Sequence, residues 1–179
     1  MGSDASLPRL NMIVDALDDQ GNVVGQLPRR ELPRTACFRV VHVLVVNPLG
    51  SILVQKIAKP LRHAGQWGSS VAGYLHAGES YRQAAKRKLR DELGIRGFEA
   101  GALTVLPETR MRDLGVTKFI GVFVLRHEGP VLLNQEDAVG LEFLLPREIE
   151  RRRAGEQRDH HFTRTFLHVF DHVRAQGAL

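Results

Sequence analysis

The chain has 179 residues and a formal net charge of +5, with 43% hydrophobic and 25% charged residues. These values are ordinary for one folded domain and exclude a disordered or collagen-like chain. No stretch approaches the roughly 18 apolar residues of a membrane-spanning helix, and we see no secretory signal. The single cysteine, Cys37, cannot form an internal disulfide. We therefore expect a cytoplasmic protein whose basic surplus suits an anionic ligand.

Strands dominate the first half of the sequence. Residues 11–27 predict a β-hairpin around the turn-forming run 18–22, and a basic connector with two prolines follows. Further strands are predicted over 37–46, 52–57 and 69–75, with a polar loop at 58–68. We expect residues 1–34 to form a hairpin extension and a connector, and residues 35–179 to form the main domain.

The second half alternates strands with helices. After a helix near residues 80–94, strands are predicted over 98–106, 117–125 and 139–145. Pro146 opens a short helix over 146–153, where proline is tolerated. The last helix, 162–175, carries an apolar stripe that indicates packing on a core. Mixed strands with about three helices favour an α/β or α+β arrangement around one sheet.

The helix near residues 80–94 carries the strongest chemical signal. Ser80 and Gln83 form a capping-box pattern, and Gly94 predicts a left-handed helix end. Lys88, Asp91 and Glu92 share one helix face because residues three and four apart are neighbours. With Glu79 at the helix start, the two acids suit a hard divalent cation such as Mg²⁺. The alternative is a set of ordinary surface ion pairs.

The segment from 73 to 95 resembles the signature of the Nudix family, Gly-x5-Glu-x7-Arg-Glu-U-x-Glu-Glu-x-Gly-U, where U is aliphatic. Seven positions are in register: Gly73, Glu79, Arg87, Leu89, Glu92, Gly94 and Ile95. Asp91 stands where the pattern has glutamate, and Lys88 replaces a glutamate that usually binds metal. The resemblance implies an α/β/α sandwich around a mixed sheet.

Residues outside this segment resemble the Nudix branch related to isopentenyl-diphosphate isomerase, notably the run 67–74 and the stretch 135–149. Three departures separate the chain from the isomerase itself. Ala72 stands at a cysteine position, Tyr74 at a histidine position, and Lys118 where paired acids are expected. Isomerase activity is therefore not expected.

The resemblance implies metal-dependent hydrolysis of a diphosphate linkage in a nucleotide or related metabolite, with Mg²⁺, or alternatively Mn²⁺, as cofactor. Glu92, Asp91, Arg87 and Glu79 would be the catalytic residues. Asp91, Glu92 and Glu79 would bind the metal, and Arg87 would orient an acid, with Asp91 as the expected partner. Glu136 or Glu142 would add a further ligand or base.

Substrate binding is assigned to Lys88, Lys59, Arg62 and Gly73. Alternatively, the loop that carries Lys59, Arg62 and His63 is a solvated surface loop that contacts no ligand. Lys88 leaves three outcomes open: a weak hydrolase, direct binding of phosphates by Lys88, or a catalytically inactive module that binds a nucleotide or diphosphate. A unit charge pair at a few ångströms is worth about 1 to 4 kcal/mol, enough to weaken metal binding.

Several other features have less specific interpretations. His160, His161, His168 and His172 could form a zinc cluster, although a solvated helix face is the expected arrangement. Few aromatic residues accompany the arginine-rich segments, so we expect neither nucleic acid nor a membrane as a partner. Trp67 is expected as an anchor in the core or at its rim, with a stacking platform as the alternative, and Cys37 is expected to be buried. Because dimers with twofold symmetry are the commonest closed assemblies, a homodimer is the expected oligomer.

Overall fold

The computed structural model describes residues 7–58, 61, 63–99, 101–155 and 161–179. Ten strands form one mixed sheet in this part of the chain: β1 Ile13–Leu17, β2 Val23–Pro28, β3 Cys37–Val46, β4 Ile52–Ile57, β5 Trp67–Gly68, β6 Val71–Tyr74, β7 Leu103–Val105, β8 Thr109–Asp113, β9 Val116–Arg126 and β10 Ala138–Leu144. Four α-helices accompany them: α1 Leu7–Asn11, α2 Tyr81–Leu93, α3 Pro146–Ala154 and α4 Arg164–Ala175.

Strand β3 organises the sheet. It pairs in parallel with β9 along its whole length and antiparallel with β1, β4 and β6. Nine of its ten residues are buried. A nearly continuous apolar run of this kind is typical of a strand covered on both faces. Strands β7 and β8 extend the sheet beyond β9, and β10 extends it beyond β4.

The sheet separates two hydrophobic cores. On one face, Val40 and Leu44 of β3 lie in a core with residues of α3 and α4. On the other face, Val41 and Val43 lie in a core with residues of α2. The separation follows from the two-residue repeat of a strand, which sends successive side chains to opposite faces. The predicted α/β/α sandwich around a mixed sheet is confirmed.

The predicted elements are found with three differences. The strand predicted over 98–106 is reduced to β7, because residues 94–99 have no regular structure and Gly101 has a φ of 93°. Strand β8 was missed, since its sequence Thr-Arg-Met-Arg-Asp lacks an apolar run and only Asp113 is fully buried. The predicted strand over 69–75 is reduced to β6, and the short strand β5 lies within the loop predicted over 58–68.

The N-terminal hairpin joins the main sheet and contacts the loop that precedes α2. Leu17 of β1 pairs with Cys37 of β3, and the Ala77 backbone amide donates to the Ile13 carbonyl over 2.9 Å. The division of the chain at residue 34 remains a proposal. Cys37 is buried, as predicted. Among the described residues, no helix has the length and apolar character required to cross a membrane.

Candidate functional site

Helix α2 and the loop before it position the predicted site. The Ser80 side chain accepts from the Gln83 backbone amide, and the Gln83 side chain accepts from the Ser80 amide, which completes the predicted capping box. Gly94 ends the helix with a φ of 67°. The local sequence therefore fixes both ends of the helix, and with them the face that carries Lys88 and Glu92.

Glu79 and Arg87 form a two-point ion pair. Nε of Arg87 donates to Oε1 of Glu79 over 2.8 Å, and Nη2 donates to Oε2 over 2.7 Å. Nη2 also donates to the Tyr74 carbonyl, and the His76 amide donates to Glu79. Burial alone would raise the pKa of Glu79, but these hydrogen bonds and the charge of Arg87 lower it overall.

The expected pairing of Arg87 with Asp91 is therefore wrong. Asp91 accepts instead from Nε of Arg90 over 2.7 Å, on the exposed side of α2. The loop folds back so that Glu79, eight positions before Arg87, reaches the guanidinium. A two-point contact with a partly buried carboxylate is stronger than a contact with an exposed neighbour on the helix.

Lys88 and Glu92 form the central ion pair of the site. Nζ of Lys88 donates to Oε1 of Glu92 over 2.7 Å, while Nε2 of Gln55 donates to Oε2 over 3.0 Å. Glu92 is 5% exposed. The Lys88 side chain crosses Gly73 so closely that a Cβ at this glycine would lie 2.3 Å from Cε of Lys88. Gly73 thus leaves room for the lysine.

Sequence reasoning missed Asp137 as a site residue. Its carboxylate is 2.7 Å from Nη2 of Arg9 and accepts from Nδ2 of Asn134 over 2.9 Å. Burial and the charge of Glu92 raise the pKa of Asp137, against the opposing effect of Arg9 and Lys88. The adjacent acids Glu136 and Asp137 were visible in the sequence, but nothing there favoured Asp137 over its neighbour.

The two acids predicted instead of Asp137 are poorly placed. Glu136 has a 66% exposed side chain and lies 3.9 Å from Arg9. Glu142 is paired with Arg152 of α3, whose Nη1 donates to Oε2 over 2.9 Å. Neither residue lines the cavity described next, so the expectation of a further ligand or base from Glu136 or Glu142 gains no support.

A cavity of about 530 Å³ adjoins these residues. Its lining includes the predicted residues Gly73, Arg87, Lys88, Asp91 and Glu92, whereas Glu79 lies behind Arg87 and is not part of the wall. Lys59 and Arg62 fall outside the residues that the structure describes. Two arginines from the N-terminal segment complete the wall, Arg9 and Arg29.

The sheet contributes an aromatic wall and a polar floor. Tyr74 stacks on Phe38 with ring centroids 4.8 Å apart, and the Arg29 guanidinium lies 4.2 Å from the Tyr74 ring. His42 shares a 2.8 Å hydrogen bond with Ser69. Burial, followed by the charge of Lys118, lowers the pKa of His42 to about 3, so its imidazole is neutral.

The predicted zinc candidates have other partners. His168 shares a hydrogen bond with Thr109 over 3.0 Å, and His172 Nε2 lies 2.9 Å from the Pro107 carbonyl. Both side chains are half-buried against the β7–β8 segment, rather than fully solvated as expected. His160 lies outside the described residues. Trp67 lies in the core, as one of its two interpretations predicted.

The three predicted metal ligands are each engaged by a cationic side chain of the protein. Each of the three predicted ligands, Asp91, Glu92 and Glu79, already forms an ion pair with a lysine or arginine. No three His, Cys, Asp or Glu side chains among the described residues are grouped closely enough to hold a metal. Hard oxygen donors are present, but Glu79 and Glu92 are held in partly buried ion pairs, which weakens their attraction for Mg²⁺.

Comparison with known families agrees with the fold and with the helix motif. Residues 38–166 match the NUDIX domain family, and the chain belongs to it. A Nudix hydrolase of Streptomyces coelicolor is 30% identical over 156 residues, which span 83% of each chain. A Nudix hydrolase of Pseudomonas aeruginosa is 30% identical over 133 residues, or 73% of this chain and 76% of that protein.

Solved structures agree as well. The crystal structure of DR0079 from Deinococcus radiodurans superposes with a TM-score of 0.71 at 25% identity and covers 89% of this chain and 98% of that one. The NUDIX domain of Shewanella oneidensis NrtR, solved with ADP ribose, has a TM-score of 0.61. At 12% identity over 79% of this chain and 88% of that one, it supports the fold alone. The isomerase-related branch stays a prediction.

Proposed function

We propose that the protein hydrolyses a diphosphate linkage in a nucleotide or related metabolite, with the divalent metal its family uses, and that turnover is slow. The observation that carries this proposal is the Nudix loop and helix lying against a cavity of about 530 Å³. Basic side chains line that cavity and suit phosphate oxygens. Slow turnover is expected because the proposed ligands Asp91, Glu92 and Glu79 are already paired.

The chain's own residues have separate tasks in this proposal. The Arg87–Glu79 pair holds the loop before α2, because Arg87 also donates to the Tyr74 carbonyl. Gln55 fixes the orientation of Glu92. Lys88, Arg9 and Arg29 present cationic groups to the phosphates, and the Tyr74 side chain adds an aromatic edge to the cavity wall. These residues bind and orient the substrate.

A second candidate function is favoured by the Lys88–Glu92 ion pair. A buried acid that is neutralised by its neighbour binds a metal poorly, since a cation must displace the lysine first. The domain would then bind a nucleotide or diphosphate ligand without turnover. This module keeps the cavity and its basic lining but lacks the chemical step.

One experiment separates the two functions. Phosphate release is measured over nucleoside diphosphates and triphosphates, dinucleotides and nucleotide sugars, with Mg²⁺ or Mn²⁺, for the parent and Lys88→Glu. We expect slow release by the parent and roughly 10- to 100-fold faster release by Lys88→Glu, because the change restores a carboxylate to the helix face.

The double variant Asp91→Ala, Glu92→Ala is the control for the site. Release that is unchanged in this variant would show that hydrolysis does not use these acids. If the parent releases no phosphate and Lys88→Glu does, the result would favour the binding module over the hydrolase.

A further inference from the structure

Four acidic side chains of the site are matched one to one by four basic side chains. Three of the pairs lie on α2 or its loop: Glu79 with Arg87, Asp91 with Arg90 and Glu92 with Lys88. The fourth joins Asp137 to Arg9 of the N-terminal segment. In each pair, the shortest distance between a side-chain nitrogen and a carboxylate oxygen is 2.7 Å. The acids that would attract a divalent cation are therefore neutralised by the protein itself.

The cavity wall carries more basic than acidic side chains. Among the described lining residues, five are basic and three are acidic: Arg9, Arg29, Arg87, Lys88 and Lys118 against Asp91, Glu92 and Asp137. Arg87 and Lys118 are also paired with Glu79 and Asp113, which are not part of the wall, so the remaining surplus is small. The histidines do not alter this excess when they are neutral, as buried His42 is. A concave wall with a surplus of cations attracts anionic groups without the help of a metal ion.

Lys88 is the cation best placed to contact a bound phosphate. Its side chain is 20% exposed, lines the cavity and crosses Gly73, where no side chain intervenes. Within the described part of the chain, Nζ donates one hydrogen bond, to Glu92. An ammonium group has three N–H donors, so two remain for oxygen atoms of a ligand.

We propose that the Lys88 ammonium takes the place of the metal ion in binding, so that the cavity holds the diphosphate group of its ligand in the absence of divalent cations. The inference rests on the proposed function in one respect, namely that this cavity is the diphosphate site. Glu92 holds the ammonium at the cavity wall, and Gly73 provides the space that the lysine needs.

The test measures binding of ADP-ribose by titration calorimetry, once with excess EDTA and once with Mg²⁺. The parent is compared with Lys88→Met, which keeps an unbranched side chain as far as Cε and removes the ammonium group. Lys86→Met is the matched control, because Lys86 lies on the exposed face of the same helix. Thermal unfolding of each variant verifies that it is folded.

We expect the parent to bind in EDTA, and Lys88→Met to bind about tenfold more weakly there, in line with the loss of a charge-assisted hydrogen bond. Lys86→Met should match the parent. Glu92→Gln should bind in EDTA at least as tightly as the parent, since the lysine keeps its place and loses its neutralising partner. In Lys88→Met, binding should become dependent on Mg²⁺ because Glu92 is released.

Two results would overturn the inference. Binding by the parent only when Mg²⁺ is present would reject it and leave the proposed function standing. Equal binding of the parent and Lys88→Met in EDTA would reject the role of the lysine. Absence of binding in both conditions, together with absence of phosphate release across the substrate screen, would instead reject the proposed function itself.

Discussion

The Glu79–Arg87 pair links the loop before α2 to the helix, and its contribution depends on pH. Both side chains are mostly buried, at 12% and 20% exposure. The pKa of Glu79 is lowered overall, because the hydrogen bonds from Arg87 and the His76 amide outweigh the effect of burial. A lowered pKa stabilises the fold above the unfolded-state value, and this stabilisation is lost as the pH falls through the folded-state value.

Glu79→Gln should therefore lower the free energy of unfolding by about 2 kcal/mol at pH 7, because it leaves the Arg87 guanidinium without its anionic partner. The difference in free energy of unfolding between the variant and the parent should become smaller as the pH falls below 4.5, the ordinary pKa of glutamate. Urea unfolding at pH 7 and at lower pH measures both effects. Glu128→Gln, at an exposed glutamate, is the control. A difference that is constant with pH would contradict the electrostatic account.

Helix α2 is docked on the sheet by an aromatic contact as well as by its aliphatic stripe. The Tyr81 ring lies directly over Gly121 of β9, where an added Cβ would come within 2.2 Å of Cδ1. The Tyr81 hydroxyl donates to Glu108 over 2.6 Å. Burial, together with Glu108, raises the pKa of this phenol, so it remains protonated. The ring is held at both ends and has little room to move.

Gly121→Ala should lower the melting temperature by about 5 °C, since overpacking of a rigid contact costs about 1 to 3 kcal/mol. Gly25→Ala on β2 is the matched control, because nothing lies within 4 Å of a Cβ built there. Differential scanning calorimetry measures both variants. Equal melting temperatures would show that the helix shifts on the sheet at no cost.

The elements that were predicted correctly have a local signal, and those that were missed depend on distant residues. Residues of one helix and its two flanks determine the cap at Ser80, the helix end at Gly94 and the apolar stripe of α2. The partner of Arg87 was wrong because helical spacing points to Asp91, whereas a loop brings Glu79 to it. Asp137 was missed because tertiary folding alone brings it to the α2 site.

At the scale of the whole molecule, Asp15 ties the N-terminal hairpin to the rest of the domain. Its carboxylate is 5% exposed and forms an ion pair with Arg39 of β3. It also accepts from Gln26 of β2 and from the Gly78 amide in the loop before α2, over 2.9 and 3.0 Å. One carboxylate thus joins the hairpin, the central sheet and the loop before α2. We therefore expect these parts to unfold as one cooperative unit.

Asp15→Asn should lower the free energy of unfolding by about 2 kcal/mol, because it leaves a partly buried guanidinium without its charge partner. Unfolding should remain a single transition by far-UV dichroism and by Trp67 fluorescence, in the parent and in the variant alike. Glu128→Gln, at an exposed glutamate outside the hairpin, is the control. If the parent unfolded in two steps, residues 1–34 would be an independent unit, and the tie through Asp15 would not couple the hairpin to the site.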